Sequence, residues 1–274
     1  MGASQVTRDV GAPRGILRHA PSPGEFHHAR IAPSAALEHL VQHYWIVRWD
    51  LRGGPPQVRE TLPHPNVHLV LDPGRTRIHG IHVARFTRVL EGRGGVFGVK
   101  FRPGGFRPFL GGPVSTLRDR ALPLQEVFGD HAAALEVDVF AQAEDAHQVA
   151  IVEAFLRAHL PPPDPEVVRV GAIVDAIADD RAVTRIEHVA ARWHLHPRAL
   201  QRLFNDYVGI GPKWVINRYR LHEALERVAA GAAIDWSALA LELGYFDQAH
   251  FIRDFRAMVG RAPAEYARGD PRMD

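Results

Sequence analysis

The 274-residue sequence contains no cysteine. That excludes disulfides, thiolate metal sites and thiol nucleophiles, and leaves His, Asp and Glu as the side chains able to hold a metal. Lysine is almost as scarce. Lys100 and Lys213 are the two present, so nearly all positive charge is guanidinium, which forks onto carboxylates, phosphates and base edges as an ammonium cannot. No run approaches the roughly 18 consecutive apolar residues of a membrane span, and the opening MGASQVTRDVGAPRG lacks the apolar stretch of a signal peptide. The expectation is a cytoplasmic protein with no membrane partner. An excess of one charge sign is missing too: the net charge is +2, with 18 Arg and Lys against 15 Asp and Glu in residues 1–160, and 15 against 16 thereafter. Neither half is a polycation, so recognition of nucleic acid has to rest on where individual arginines point. Walker A, Gly-x-Ser-x-Gly and His-Glu-x-x-His patterns are all absent, and the scattered acids offer no identifiable acid–base pair. No enzyme and no cofactor are expected.

The chain divides unevenly. Residues 1–30, with Pro13, Pro21 and Pro23, show no apolar periodicity and read as a flexible N-terminal arm. Residues 44–51 alternate, with Trp45, Val47 and Trp49 on one face and Tyr44, Ile46 and Arg48 on the other, the period of a half-buried strand. Residues 67–71, 78–83 and 96–101 are further short strands between Pro and Gly turns. After Pro103-Gly104-Gly105 the spacing turns helical, over 124–128, 132–140 and 149–160. Residues 161–165 hold four prolines in five positions, a stiff connector that no helix crosses, and everything beyond reads as helix. The expected fold is α+β: a small N-terminal β-sheet with helices over 31–160, then an all-α region over 166–268.

That C-terminal region repeats. Ile186, Val189 and Ala190 correspond to Trp236, Leu239 and Ala240 at an offset of 50, and Arg202, Phe204, Gly209 and Pro212 to Arg253, Phe255, Gly260 and Pro263 at 51. The slip falls in a turn, where His194-Leu195-His196 faces Gly244-Tyr245-Phe246-Asp247. Each copy has the parts of a helix-turn-helix unit. In the first, Thr184 with Glu187 predicts a capping box, and Ile186, Val189, Ala190 and Trp193 form an apolar stripe. Leu195 and Leu200 are placed as a staple about a cap at His196, and Pro197 suits the first helical position. The outward face is then Arg198, Gln201, Arg202 and Asn205, at i, i+3, i+4 and i+7. Arg forks onto guanine, and Gln or Asn onto adenine. In the second copy Asp247 is the expected cap, Phe246 and Phe251 its staple, and Gln248, Ala249, Ile252 and Arg253 the outward face. Between the copies a helix from Lys213 to about residue 230 spans about 27 Å at 1.5 Å per residue, comparable to the ~34 Å between major-groove segments on one face of B-DNA.

On these segments, IEHVAARWHLHPRALQRLF, GIGPKWVINRYRLHEAL and ALALELGYFDQAHFIRDFRAMVGRAPAEYAR, the region resembles the DNA-binding domain of the AraC family of bacterial transcription regulators. The resemblance implies a sequence-specific regulator of transcription. Bases would be read by the first recognition helix through Arg198, Gln201 and Arg202, and by the second through Gln248, Ala249, Ile252 and Arg253, with Lys213 on phosphate. His194 departs from the family, standing where it usually has a turn glycine, and His196 where it usually has a Ser cap; a residue at 194 is expected to need left-handed backbone. LPHPNVHLV and FTRVLEGRGGVFGVKFRPGGFRPFLGG, within about residues 31–145, resemble an uncharacterised domain often found ahead of such DNA-binding domains, which implies a sensor or dimerisation module. Double-stranded DNA, RNA polymerase, a small-molecule effector and a second copy of the chain are the partners to be tested.

For a ligand site the sequence nominates Trp45 and Trp49, with Phe97 and Phe101, and the turn from Phe101 to Arg107, whose Arg102, Arg107 and free N–H groups have the form of an anion site; core packing and a tight structural turn are the competing readings. The 17 histidines raise a metal-dependent or small-molecule-processing N-terminal domain, regulated by the helical half, as the alternative. His64 and His68 lie about 13 Å apart on a strand, His79 and His82 fall on opposite faces of theirs, and His39 and His43 need a short helix entered at Ser34. No metal site is expected.

Overall fold

The computed structural model describes residues 25–229 and 234–268. Residues 1–24 of the expected arm lie outside them, and the rest of that segment is corrected: Glu25–Ile31 is a strand, β1, paired antiparallel with β2 (Val41–Asp50). The strands β3 (Gln57–Thr61), β4 (His68–Leu71), β5 (Arg77–His79), β6 (Phe86–Leu90), β7 (Arg93–Phe101) and β8 (Ala121–Leu122) follow. A six-stranded antiparallel sheet has the order β1-β2-β7-β4-β5-β8, and β3 and β6 form a separate two-stranded ribbon. β5 ends at His79, short of the expected 83.

The alternation in β2 separates two clusters. Tyr44 and Ile46 enter the main core with Leu69, Phe97, Val99 and Phe101, whereas Trp49 packs with Leu51, Leu90 and Val96, with Trp45 and Val47 against them. Short helices α1 (Arg107–Leu110), α2 (Gln125–Phe128) and α3 (Leu135–Phe140), then the longer α4 (Asp145–Ala158), close the first face. Tyr44 and the backbone N–H of Ser34 both donate to the buried Glu153 of α4, at 3.3 and 2.7 Å.

α5 (Pro165–Asp179) begins where the proline run ends. Pro165 fits the first helical turn, where its missing N–H is not needed, and Asp164 caps the helix by accepting the N–H of Glu166 at 3.0 Å. Val167, Val170, Ile173, Val174 and Ile177 form its buried stripe, each worth about 1.5–3 kcal/mol of burial. These residues belong to the same core as the sheet, so the apolar interior runs on past the prolines.

The remaining helices are α6 (Ile186–Arg192), α7 (Pro197–Leu203), α8 (Pro212–Ala229), α9 (Trp236–Glu242), α10 (Gln248–Val259) and α11 (Pro263–Ala267). Leu200, Phe204, Val215 and Ile216 join the main core. Leu221, Leu239, Leu243, Phe251 and Phe255 form a second one, and Leu62 from the N-terminal half completes it.

Candidate nucleic-acid interface

The first helix pair turns at His194, whose φ of 50° is in the left-handed region; the equivalent Gly244 has φ 79°. The strain anticipated at position 194 is therefore present. His196 caps α7, its Nδ1 accepting the N–H of Arg198 at 3.2 Å, and Asp247 caps α10 by accepting the N–H of His250 at 2.7 Å. Two sequence expectations fail. Arg185, not Thr184, occupies the cap position of α6, with no side-chain cap bond. Thr184 instead packs at the second turn, where its Cβ would meet a Cβ added to Gly244 at 2.4 Å. The staple about Asp247 does not form either, because Phe246 is 87% exposed while Phe251 packs inward on Trp236, Tyr245 and Phe255.

α7 buries Leu200 and leaves Arg198 and Arg202 exposed. Neither guanidinium has a protein partner among the described residues, so both charges face outward with their full hydrogen-bonding capacity. Gln201 and Asn205 are only half exposed. Gln201 Nε2 donates to Asn205 Oδ1 at 3.1 Å, and its amide lies against Gly211. Asn205 sits in a single wide turn, Phe204–Val208, that widens the helix end before Gly209 stops it. The straight i, i+3, i+4, i+7 edge thus ends at Arg202, and the two amides hold each other. Lys213, at the start of α8, is exposed.

On α10, Ala249 and Arg253 are exposed, and Arg253 too is unpaired among the described residues. Gln248 is tied back to the preceding helix, its Oε1 accepting the Ser237 hydroxyl at 2.8 Å, and Ile252 is half-buried against the second core. This edge carries fewer free readers than the first. α8 has 18 residues, about 27 Å of straight helix, and connects the two pairs as the spacing predicted.

With two capped helix pairs, two open edges and a connecting rod in place, comparison with known proteins is decisive for this half. Residues 189–269 match the family model described as a helix-turn-helix domain. The C-terminal region is an AraC-type helix-turn-helix domain. Residues 29–123 match a domain of unknown function (DUF6597). The regulatory protein PocR of Salmonella typhimurium is 32% identical over 108 residues, 38% of this chain and 34% of PocR; the chain spans about a third of that curated relative's length. An apo point variant of ToxT from Vibrio cholerae overlaps at 13% identity with a TM-score of 0.36, over 82% of this chain and 96% of that one. The wild-type ToxT crystallised with an unsaturated fatty acid gives the same identity and score, over 82% and 94%.

The AraC-type domain is gripped by the N-terminal half at both units. At the first, Arg107 Nε pairs with Asp206 Oδ1 at 3.0 Å, its guanidinium lies over the Tyr207 ring, and Arg118 donates to the carbonyl of Gly209 at 3.2–3.3 Å. At the second, Arg85 donates to the carbonyl of Val259 at 3.1 Å.

These contacts correct the sequence-based ligand site. Arg107 is committed to Asp206, and Arg102 Nε donates to the carbonyl of Glu38 at 2.6 Å. The intervening loop is a structural turn closed by Gly105 N–H to the Arg102 carbonyl. Trp45 and Trp49 lie on the opposite sheet face from Phe97 and Phe101, so the four line no common space. Trp49 Nε1 is spent on the carbonyl of Glu91 at 3.1 Å. Among the histidines, the His79 and His82 ring centres approach to 5.9 Å because β5 stops between them, and His64 lies beside His222 of α8, the tilted rings 5.2 Å apart between centres. Among the described residues no three His, Asp or Glu side chains are placed to hold one metal, and no helix is long and apolar enough to cross a membrane.

Proposed function

We propose that this chain is a sequence-specific DNA-binding regulator of transcription, working in the cytoplasm and controlled through its N-terminal half by a small molecule or by pairing of subunits. The observation that carries the reading is the repeated, capped helix pair: two outward edges bearing unpaired arginines, joined by a rod about one groove repeat long. In this reading Arg198 and Arg202 read guanine edges from α7. Gln201 and Asn205 act as a linked amide pair, with Gln201 reaching a base once that mutual bond opens. On α10, Arg253 reads, Ala249 and Ile252 give apolar contact to thymine methyl groups, and Gln248 positions. Lys213 and the N–H groups at the helix starts hold phosphates and so fix register without reading sequence. The similarity to a regulatory protein supports this assignment over an enzymatic one, and RNA polymerase is the partner through which such a regulator acts.

The test is recovery of genomic fragments bound by the purified chain, followed by selection from a randomised duplex library. Arg202→Ala is expected to lose about 1–3 kcal/mol on the recovered site and to relax preference at one base position. An unchanged preference at every position rejects the assignment of α7 as the reading helix.

A further inference from the structure

The sheet face that carries Trp45 also carries a row of nitrogen bases. Strand register sets His43 beside Lys100, Lys100 beside His68 and His68 beside His79, and directly paired residues project to the same side. Arg30, paired with Trp45, joins them. Gly98 makes room for this arrangement, since any Cβ there would fall within 1.9 Å of the Trp45 ring. His43 is 3% exposed and Lys100 9%.

A cation of the AraC-type domain lies within electrostatic reach of Lys100. Arg218 of α8 is fully buried. Its Nε donates to the carbonyl of Pro63, in the loop that leads to β4, while Nη1 and Nη2 meet no acceptor among the described residues. Burial pushes Arg218 down to about 9, and burial with repulsion from Arg30 and Arg218 pushes Lys100 down to about 7. No acid answers either cation among the described residues. The buried carboxylates are engaged elsewhere, Glu153 by Tyr44 and Ser34, and Glu223 by Arg220 and Arg227. An uncompensated charge in a protein interior is costly, and here two lie within each other's field.

The histidines complete the chemistry. His43 Nε2 accepts from the Arg30 guanidinium at 3.0–3.3 Å, and His68 Nδ1 accepts the Trp45 indole N–H at 3.4 Å. Both rings are neutral, with pKa values lowered by burial and by neighbouring cations, His43 to about 3. A neutral ring that accepts at one nitrogen carries its proton on the other, so His68 offers its Nε2–H alongside the two cations, while His43 Nδ1 lies 3.4 Å from Arg30 Nη2 as well.

We propose that Lys100, Arg218, His43 and His68 form a receptor for the oxyanion group, carboxylate or phosphate, of a small-molecule effector held between the N-terminal sheet and α8. The proposal rests on the regulator reading for the word effector, but the site itself does not. Because Arg218 belongs to the rod that joins the two helix pairs, an anion bridging it to Lys100 fastens that rod to the sheet, which is how occupancy would reach the DNA-binding edges.

Thermal unfolding of the full chain in HEPES, at ionic strength held constant with chloride, tests the site with inorganic phosphate, acetate, succinate and benzoate as probes. A saturable rise in midpoint with at least one probe is expected, and the probe class that saturates at lower concentration identifies carboxylate or phosphate. Lys100→Met should raise the midpoint without probe by about 2–4 °C, since it removes an unpaired charge, and should weaken the probe's effect at least tenfold. Arg218→Met should weaken it likewise, from the α8 side. No saturable rise with any probe, or a wild-type response in both variants, overturns the site. Duplex binding measured by anisotropy in the same buffers separates the two ideas: an anion response without DNA binding rejects the regulator and keeps the receptor.

Discussion

Position 194 asks an L-residue for a backbone that costs roughly 1–2 kcal/mol, and the repeat contains its own control, because the equivalent turn uses glycine. His194→Gly is expected to stabilise the chain by about 0.5–1 kcal/mol, the relieved strain being partly offset by the greater freedom of glycine when unfolded. Gly244→Ala should destabilise it by about 1–3 kcal/mol: φ is 79° and the new Cβ would sit 2.4 Å from the Thr184 Cβ. Urea midpoints of both variants check the pair, and a destabilised His194→Gly would show that the His194 side chain contributes more than its backbone costs. This strain was legible in the sequence because aligning the two copies sets His194 against Gly244. The cap at His196 was legible too, since Pro197 fixes where α7 starts. The capping box at Thr184 was misread, because spacing alone does not reveal that a side chain is claimed by a distant turn. Phe246 was misread for the converse reason: an aromatic ahead of a cap satisfies the staple pattern whether or not it folds inward.

Between elements, the decisive contacts are those from the N-terminal half onto the two helix pairs. Arg107 of α1 meets Asp206 and Tyr207 just past α7, and both partners are partly exposed. A double-mutant cycle with Arg107→Met and Asp206→Asn should therefore give a coupling of about 0.5–1 kcal/mol in urea unfolding. A coupling near zero would mean that this grip is only a surface encounter. None of these contacts was readable beforehand. The sequence pattern marks β2, β4 and β7 because their apolar residues face a core on at least one side. It misses β1, whose EFHHARI is mostly polar, and the ribbon of β3 and β6, in which Val58, Phe86 and Val89 stay exposed, so no buried face imposes alternation. Arg102 and Arg107 were placed in an anion-binding turn for a related reason: the sequence shows the glycines and the charges, but not the Glu38 carbonyl and the Asp206 carboxylate that meet them.

For the molecule as a whole, the row of buried bases sets the response to acid. His43 is held down to about 3 and His79 to about 4, in both cases chiefly by burial. Each is neutral when folded and takes up a proton near 6.5 when unfolded, so below that value the unfolded chain binds more protons and stability falls as pH falls. The contribution is fully present above about pH 6.5 and drains away toward the folded pKa values, at up to about 1.4 kcal/mol per pH unit for each ring. Lys100 acts higher: with its pKa lowered from 10.5 to about 7, stability rises with pH between those values, by the same proton count. Urea midpoints are thus expected to climb from pH 5 through pH 9 in MES, HEPES and CHES at constant ionic strength. His43→Asn keeps an oxygen acceptor for Arg30 and should flatten the slope between pH 5 and 6.5 by about one proton, leaving the slope above pH 7 unchanged. A His43→Asn chain with the wild-type slope in acid would mean that His43 is already protonated in the fold. Arg30 would then have no acceptor on that ring, and the donor arrangement assigned to the receptor would fall with it.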